Sequence, residues 1–213
     1  MSSEGQGNYT GEPANPEEPP VRGTRGVLNR REEAKDYTER HKVERIVKAN
    51  SGHVPVPISI VDKPGAEQSQ IRIGWVGVPR NNPDYFPLQV LNTVLGGSFT
   101  SRLNQNLREE HGYAYGASSV FDMRLSAGPF VAAAGVQTDK TSEAVHEFFN
   151  ELNGITKQIP ADELGKAKNY IALSFPSDFE TTRDLAGNAE QLIVYKLPDN
   201  YFERYVANIQ AVT

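Results

Sequence analysis

The sequence predicts an α+β fold in which an antiparallel β-sheet carries helices packed on one face. Three observations lead to this prediction. First, segments with the two-residue period of half-buried strands occur in pairs. Second, helical segments with an apolar stripe follow each pair. Third, the order β-β-α-α-β-β-α-α-α-α does not alternate as a parallel βαβ sheet would require.

Two strands are predicted first. Val54 to Asp62 is rich in β-branched residues but is interrupted by two prolines, which is typical of an edge strand. Ser69 to Val78 places Ile71, Ile73 and Trp75 on one face, because side chains of a strand alternate between its two sides. The second strand is therefore expected to be half-buried.

Two helices follow. Asn82-Pro83-Asp84 is a helix-start signal, with a capping side chain, a proline at the first helical position and an acid in the first turn. Gly96-Gly97 is expected to end that helix, and residues 100–110 are expected to form the next one. The residues predicted to face the core are Leu88, Leu91, Val94 and Leu95 in the first helix, and Leu103 and Leu107 in the second. Arg102, Asn104, Gln105 and Arg108 are expected on the polar side of the second helix.

A hairpin and four helices complete the fold. Tyr113–Asp122 and Gly128–Gln137 alternate as two strands, and the turn between them spans Arg124 to Gly128. Each later helix is predicted from a stripe of residues at helical spacing. The stripes are Val145, Phe148, Phe149 and Leu152; Leu164, Ala167 and Ile171; Thr182, Leu185, Ala186, Ala189 and Ile193; and Phe202, Tyr205, Val206 and Ile209.

The predicted domain covers residues 53–213. Residues 1–50 are expected to be a disordered or linker segment, since residues 1–26 hold five Gly and four Pro and few large apolar side chains. No apolar core of a signal peptide occurs in residues 1–25. The chain stops just after a striped helix, so the domain is expected to be truncated at its C-terminus.

Composition excludes several classes of function. The net charge is −5 and no basic stripe interleaves with aromatic residues, so no nucleic-acid partner is expected. The absence of cysteine excludes disulfides and thiolate metal sites but leaves the compartment open. No apolar run reaches the roughly 18–20 residues of a membrane helix, so no membrane segment is expected.

Catalytic motifs are absent from the sequence. The four histidines are His41, His53, His111 and His146, and none belongs to a His-x-x-Glu-His or His-Glu-x-x-His motif. The chain also lacks a Gly-x-Ser-x-Gly nucleophile turn. No metal site and no catalytic residue is therefore predicted within this chain.

Arg108, Tyr115 and the Gly96-Gly97 pair are the candidate binding residues. Arg108 and Tyr115 could together hold a carbonyl oxygen or a carboxylate, because both side chains donate hydrogen bonds. The alternatives are a surface ion pair of Arg108 with Glu109 or Glu110, and a core position for Tyr115. The glycines could approach an anion or an extended peptide, or could form a turn that requires positive φ.

The sequence resembles a known peptidase family at several motifs. They are Leu95-Gly-Gly-Ser-Phe-Thr-Ser-Arg-Leu103, Leu107-Arg-Glu-Glu-His-Gly-Tyr-Ala-Tyr115, Ala161-Asp-Glu-Leu-Gly-Lys-Ala-Lys168 and the run from Tyr201 to Thr213. Residues of about 70–212 are similar to the second, non-catalytic half of the M16 (pitrilysin/insulinase-like) zinc metallopeptidases. The resemblance implies one half of an M16 clamshell, with the LuxS/MPP-like arrangement of a sheet backed by helices.

The resemblance also implies a function. In this family one half binds zinc through His-x-x-Glu-His and a distal glutamate, and the other contributes an Arg and a Tyr that contact the substrate backbone. These two residues correspond to Arg108 and Tyr115, which are seven positions apart. This chain is thus expected to bind peptide with Arg108, Tyr115, Gly96 and Gly97, to be inactive alone, and to need a partner half that supplies the zinc. The alternative is a structural subunit of the M16-like core-protein type.

Overall fold

The computed structural model describes residues 65–213, together with residues 2–3, 9–10 and 45–46. Two short strands, β1 (Ser2–Ser3) and β2 (Tyr9–Thr10), pair antiparallel near the N-terminus. The predicted edge strand Val54 to Asp62 and the remainder of the predicted linker lie outside the described residues.

The main sheet has three antiparallel strands: β3 (Gln68–Val76), β4 (Ala114–Phe121) and β5 (Pro129–Gln137). Its strand order is β3-β5-β4, so the hairpin strand β5 lies in the middle. This confirms the strand predicted at Ser69–Val78 and the predicted hairpin, because alternation of apolar and polar residues is a property of each strand alone.

Six α-helices accompany the sheet in the part of the chain from residue 65 onward. They are α1 (Tyr85–Asn92), α2 (Arg102–Asn104), α3 (Thr141–Gly154), α4 (Ala161–Ser174), α5 (Thr182–Val194) and α6 (Tyr201–Gln210). Wider π-helical turns extend α1 over Thr93–Gly97 and α2 over Gln105–Glu110, and 3₁₀ turns occupy Thr138–Lys140 and Phe175–Phe179. None of these helices is long and apolar enough to cross a membrane.

The core lies between one face of the sheet and the helices. Every second residue of β5 from Phe130 to Val136 is buried, and the helices contribute Leu103, Leu107 and Phe148, which are fully buried. Burial of this apolar surface is the main term that holds the two layers together. The predicted α+β class, with helices on one face of an antiparallel sheet, is confirmed.

Two details differ from the sequence-based predictions. Helix α1 begins at Tyr85, so Pro83 and Asp84 precede it, and the Asn82 side chain accepts a hydrogen bond of 2.8 Å from the Asp84 backbone nitrogen. Trp75 belongs to the predicted face but is only half covered, with its ring centroid 4.9 Å from that of Phe130. It lies near the end of β3, where the strand extends past the core.

The helix predicted from Thr182 to Ile193 is present as α5, but its apolar stripe does not face the core. All five stripe residues are exposed, and the half-buried positions lie on the more polar side of the helix. A stripe predicts that a helix has an apolar face, but the direction of that face depends on how the helix is attached. Here α5 starts at a capping box between Thr181 and Asp184 and is held by a hydrogen bond of 2.7 Å from Asn188 to the Asp178 carbonyl.

Candidate functional site

A β-bulge turns Tyr115 away from the core. Ala114 pairs with Val136 and Ala117 pairs with Ala134, so two residues, Tyr115 and Gly116, lie opposite the single residue between those partners. A bulge of this kind redirects side chains by one position. The Tyr115 side chain is consequently 90% exposed, which excludes the alternative of a core tyrosine.

Asn104 covers the outer edge of β4 beside this bulge. Its side-chain Oδ1 accepts from the Ala117 backbone nitrogen at 3.0 Å, and its Nδ2 donates to the Ala117 carbonyl at 2.7 Å. Nδ2 also lies 3.1 Å from the Ser98 carbonyl and 3.2 Å from Ser101 Oγ. One buried amide therefore joins α2, the loop before it and the edge strand.

The sequence analysis missed this role of Asn104, since the residue was assigned to the polar side of its helix. No local signal separates a polar residue that faces water from one that pairs with a strand edge. The partner, Ala117, is 13 residues away, and only the folded chain brings the two together.

Arg108 lies at the same end of β4 as Tyr115. The helix and the strand are joined by a tight turn at Gly112, where φ is +64° and the Tyr113 nitrogen donates to the Leu107 carbonyl at 2.8 Å. Arg108 is four residues after Asn104, in the π-helical turn, and Tyr115 is two residues before Ala117, in the bulge. Both candidate residues therefore lie on the side of the Asn104–Ala117 contact that leads to the turn at Gly112.

The Arg108 side chain is partly exposed and already has neighbours. Its guanidinium carbon lies 4.3 Å from the centre of the exposed Phe99 ring, and its Nε lies 3.4 Å from Oε1 of Glu109. The ion pair with Glu109, which was the alternative to a binding role for Arg108, is therefore present, although at this exposure it contributes little to stability. Stacking on Phe99 restricts the guanidinium and leaves its other donors available for a ligand.

Gly96 is required for a close approach between α1 and β4. A Cβ atom at this buried position would lie 2.4 Å from the Ser119 backbone nitrogen. The exposed Gly97 is constrained less strongly, since a Cβ atom there would lie 2.8 Å from Nδ2 of the Asn92 side chain. The interpretation that these glycines supply positive φ was wrong, because among the described glycines only Gly65 and Gly112 have it.

A cavity of about 600 Å³ lies behind the loop that contains Ser98. It is bounded by the end of α1, by Arg102 and Gln105, and by the first half of α4. Arg102 Nε donates to Glu163 Oε2 at 2.7 Å across its edge, which attaches α4 to the helix that carries Arg108.

The donor groups of the described residues do not fit a zinc ion. From residue 65 onward, no three His, Asp or Glu side chains are close enough together to hold a metal. His111 stacks on Tyr113 with ring centroids 4.9 Å apart, and His146 Nδ1 lies 3.5 Å from Glu147 Oε1. Burial acts to raise the pKa of the Glu147 carboxylate, but its hydrogen bonds with Asn150, Asn106 and His146 outweigh burial and lower that pKa.

Comparison with known families agrees with this fold and with the absence of a zinc motif from the sequence. The model of the peptidase M16 inactive domain matches residues 28–171, which is more than half of the chain. The chain therefore belongs to the peptidase M16 inactive-domain family.

Individual proteins are similar to parts of the chain. An uncharacterized zinc protease of Streptomyces coelicolor is 31% identical over 117 residues, which are 54% of this chain and 26% of that protein. A crystal structure of a peptidase M16 inactive domain from Pseudomonas fluorescens has a TM-score of 0.64 and 25% identity, over 70% of this chain and 36% of that one.

A further similarity is to a different kind of protein. The chaperone protein HtpG of Rhizobium etli is 62% identical over 73 residues, which are 34% of this chain and 12% of the chaperone. The chain thus spans only about an eighth of the chaperone and about a quarter of the zinc protease.

Proposed function

We propose that this chain is the substrate-binding half of an M16-type metallopeptidase. It holds an extended peptide through hydrogen bonds from Arg108 and Tyr115 to the peptide backbone, and it does not cleave peptide alone. A second M16 half with a His-x-x-Glu-His motif supplies the zinc and the cleavage chemistry.

The position of Tyr115 is the observation that carries this proposal. A tyrosine on a strand would ordinarily bury its ring against a neighbour, and here a bulge directs the side chain outward until 90% of it is exposed. Arg108 lies at the same end of β4, and its guanidinium is restrained by Phe99. Two donors held by a rigid strand and helix can orient a carbonyl group and favour negative charge developing on its oxygen.

The glycines contribute indirectly in this proposal. Gly96 lets the end of α1 contact β4, and the adjoining loop then carries Phe99 to Arg108. Gly97 is exposed beside Ser98 and leaves the backbone there accessible to an extended peptide.

The test is the substitution Tyr115→Phe, which removes one hydroxyl and keeps the ring. The chain is assembled with a zinc-bearing M16 half, and kcat and KM are measured on a fluorogenic peptide. We expect kcat/KM to fall by about 10²–10³-fold, the usual effect of removing one donor from a developing oxyanion. The matched control is Tyr170→Phe on α4, which also removes the hydroxyl of an exposed tyrosine and is expected to leave turnover unchanged.

A structural role is the second candidate, because two helices expose large apolar side chains. Leu173 is 82% exposed and Ile193 is 77% exposed, on α4 and α5 respectively. Exposed apolar patches often mark protein contacts. Arg108→Ala separates the two candidates: a large loss of turnover with intact assembly supports substrate binding, whereas unchanged turnover in an intact assembly supports a scaffold and contradicts our proposal.

A further inference from the structure

The sheet has a second face that points away from the core. Ile71 and Ile73 of β3 pack against the core, so Gln70 and Arg72 point to the opposite side. By the strand register, this open face also contains Val131, Ala133 and Gly135 of β5 and Ser118 and Val120 of β4.

The open face forms a shallow trough. Its floor is the central strand, where Ala133 and Gly135 present almost no side chain. One wall is β3 with Gln70 and Arg72, and the other is the bulge that carries Tyr115. A Cβ atom on Gly135 would lie 2.8 Å from Nε2 of Gln70 and 3.0 Å from Oε1 of Gln68, so the glycine is what lets these two amides lie over the floor at this level.

Arg72 is the charged residue of this trough. Its side chain is exposed, and its neighbours in register, Ala133 on β5 and Ser118 on β4, are uncharged. Among the ion pairs of residues 65–213, none involves the Arg72 guanidinium. The chain as a whole is acidic, with a net charge of −5, so this cation is a local exception.

We propose that Arg72 selects peptides with an acidic side chain by pairing with its carboxylate in the trough. The inference rests on the proposed function, because it adds a contact to the peptide that Tyr115 and Arg108 orient. A guanidinium suits a carboxylate because its planar fork can donate two parallel hydrogen bonds.

The distance between Arg72 and Tyr115 defines the position of the acidic residue in the bound peptide. Across the sheet, Arg72 on β3 and Tyr115 on β4 are separated by two strand spacings. Along the strands, they are separated by about two residue positions. The Cα atoms of Arg72 and Tyr115 are therefore roughly 12 Å apart. An extended peptide rises about 3.3 Å per residue. A peptide that lies along the trough covers only the part of this separation that is parallel to the strands, about 7 Å, so the selected acid is about two residues from the peptide group that Tyr115 contacts.

The experiment measures binding of two fluorescein-labelled 12-residue peptides by fluorescence anisotropy. They share an alternating Ala/Ser sequence and differ by Glu or Gln at one position near the middle. We expect wild-type protein to bind the Glu peptide about three- to fivefold more tightly at low salt, and the preference to shrink as salt is added. Arg72→Gln should bind both peptides equally, and Arg72→Glu should reverse the preference.

The control variant is Arg183→Gln on α5, which removes the same charge from an exposed helix position. It should keep the preference of the wild-type protein. Equal binding of the two peptides to wild-type protein would overturn the role of Arg72 while leaving peptide binding in place. No binding of either peptide up to millimolar concentration would overturn both this inference and the proposed function.

Discussion

Removing the Asn104 side chain should destabilise the fold much more than removing a polar side chain from a helix normally would. In Asn104→Ala, the Ala117 nitrogen and carbonyl, both held now by the Asn104 amide, lose their partner at a buried position. Each buried backbone group without a hydrogen bond costs about 1–3 kcal/mol. The two together predict a loss of about 2–6 kcal/mol in the free energy of unfolding.

This loss is large relative to the roughly 5–15 kcal/mol by which domains are stable. Urea denaturation measures it, followed by far-UV circular dichroism and by the fluorescence of Trp75, the single tryptophan of the chain. With a typical urea slope of about 1–3 kcal/mol per molar, the midpoint should fall by at least about 0.7 M. Asn169→Ala, at an exposed position of α4, is the control and should change stability by no more than about 0.5 kcal/mol.

A second variant tests the direction of the hydrogen bonds. Asn104→Asp keeps the shape and one acceptor, but it replaces the donor that faces the carbonyls of Ala117 and Ser98 with another oxygen. It should therefore be destabilised at neutral pH and regain stability at acidic pH, where a protonated carboxyl can donate. If Asn104→Ala behaved like Asn169→Ala, the amide would not be holding the edge strand, and our account of the site would be refuted.

Two further substitutions test packing and titration. Gly96→Ala should destabilise the protein by about 1–3 kcal/mol in the same denaturation assay, because the added Cβ atom would lie 2.4 Å from the Ser119 backbone nitrogen. The control is Gly165→Ala, where the added Cβ atom meets open space and the substitution should be neutral or stabilising. Burial raises the pKa of Tyr205, so folding favours the protonated phenol and the stability from this group is complete below the ordinary pKa of about 10. That stability should be lost as pH rises further. The urea midpoint of Tyr205→Phe should therefore decline less than that of the wild-type protein between about pH 9 and 11. An equal decline in both proteins would contradict burial of the Tyr205 phenol as the cause.

Most of the fold could be predicted from the sequence because its strands and helices carry strong local periods. The hairpin and the buried residues of α3 are clear cases, with Val145, Phe148, Phe149 and Leu152 all buried as expected. The orientation of α5 could not be predicted in the same way. Its stripe is equally periodic, but its attachment to the preceding turn directs that stripe to the surface.

The candidate site could also be predicted only in part from the sequence. The seven-residue spacing of Arg108 and Tyr115 and the family motif around them were readable in the sequence. The reason for Gly96 was misjudged, because a close approach to Ser119 involves a strand distant in the sequence, which a local turn rule does not include. The proposed binding roles of these residues stay predictions.

By itself, the sequence determined the order of strands and helices, the apolar residues that could form a core, and the absence of a zinc-binding motif from this chain. These follow from the identities and spacings of residues near one another in the chain. Only the tertiary structure decided that Asn104 pairs with Ala117, that a bulge exposes Tyr115, and that Arg72 lies on the open face with no counter-ion among residues 65–213. These depend on strand register and on contacts between distant segments, whose energies no local pattern contains.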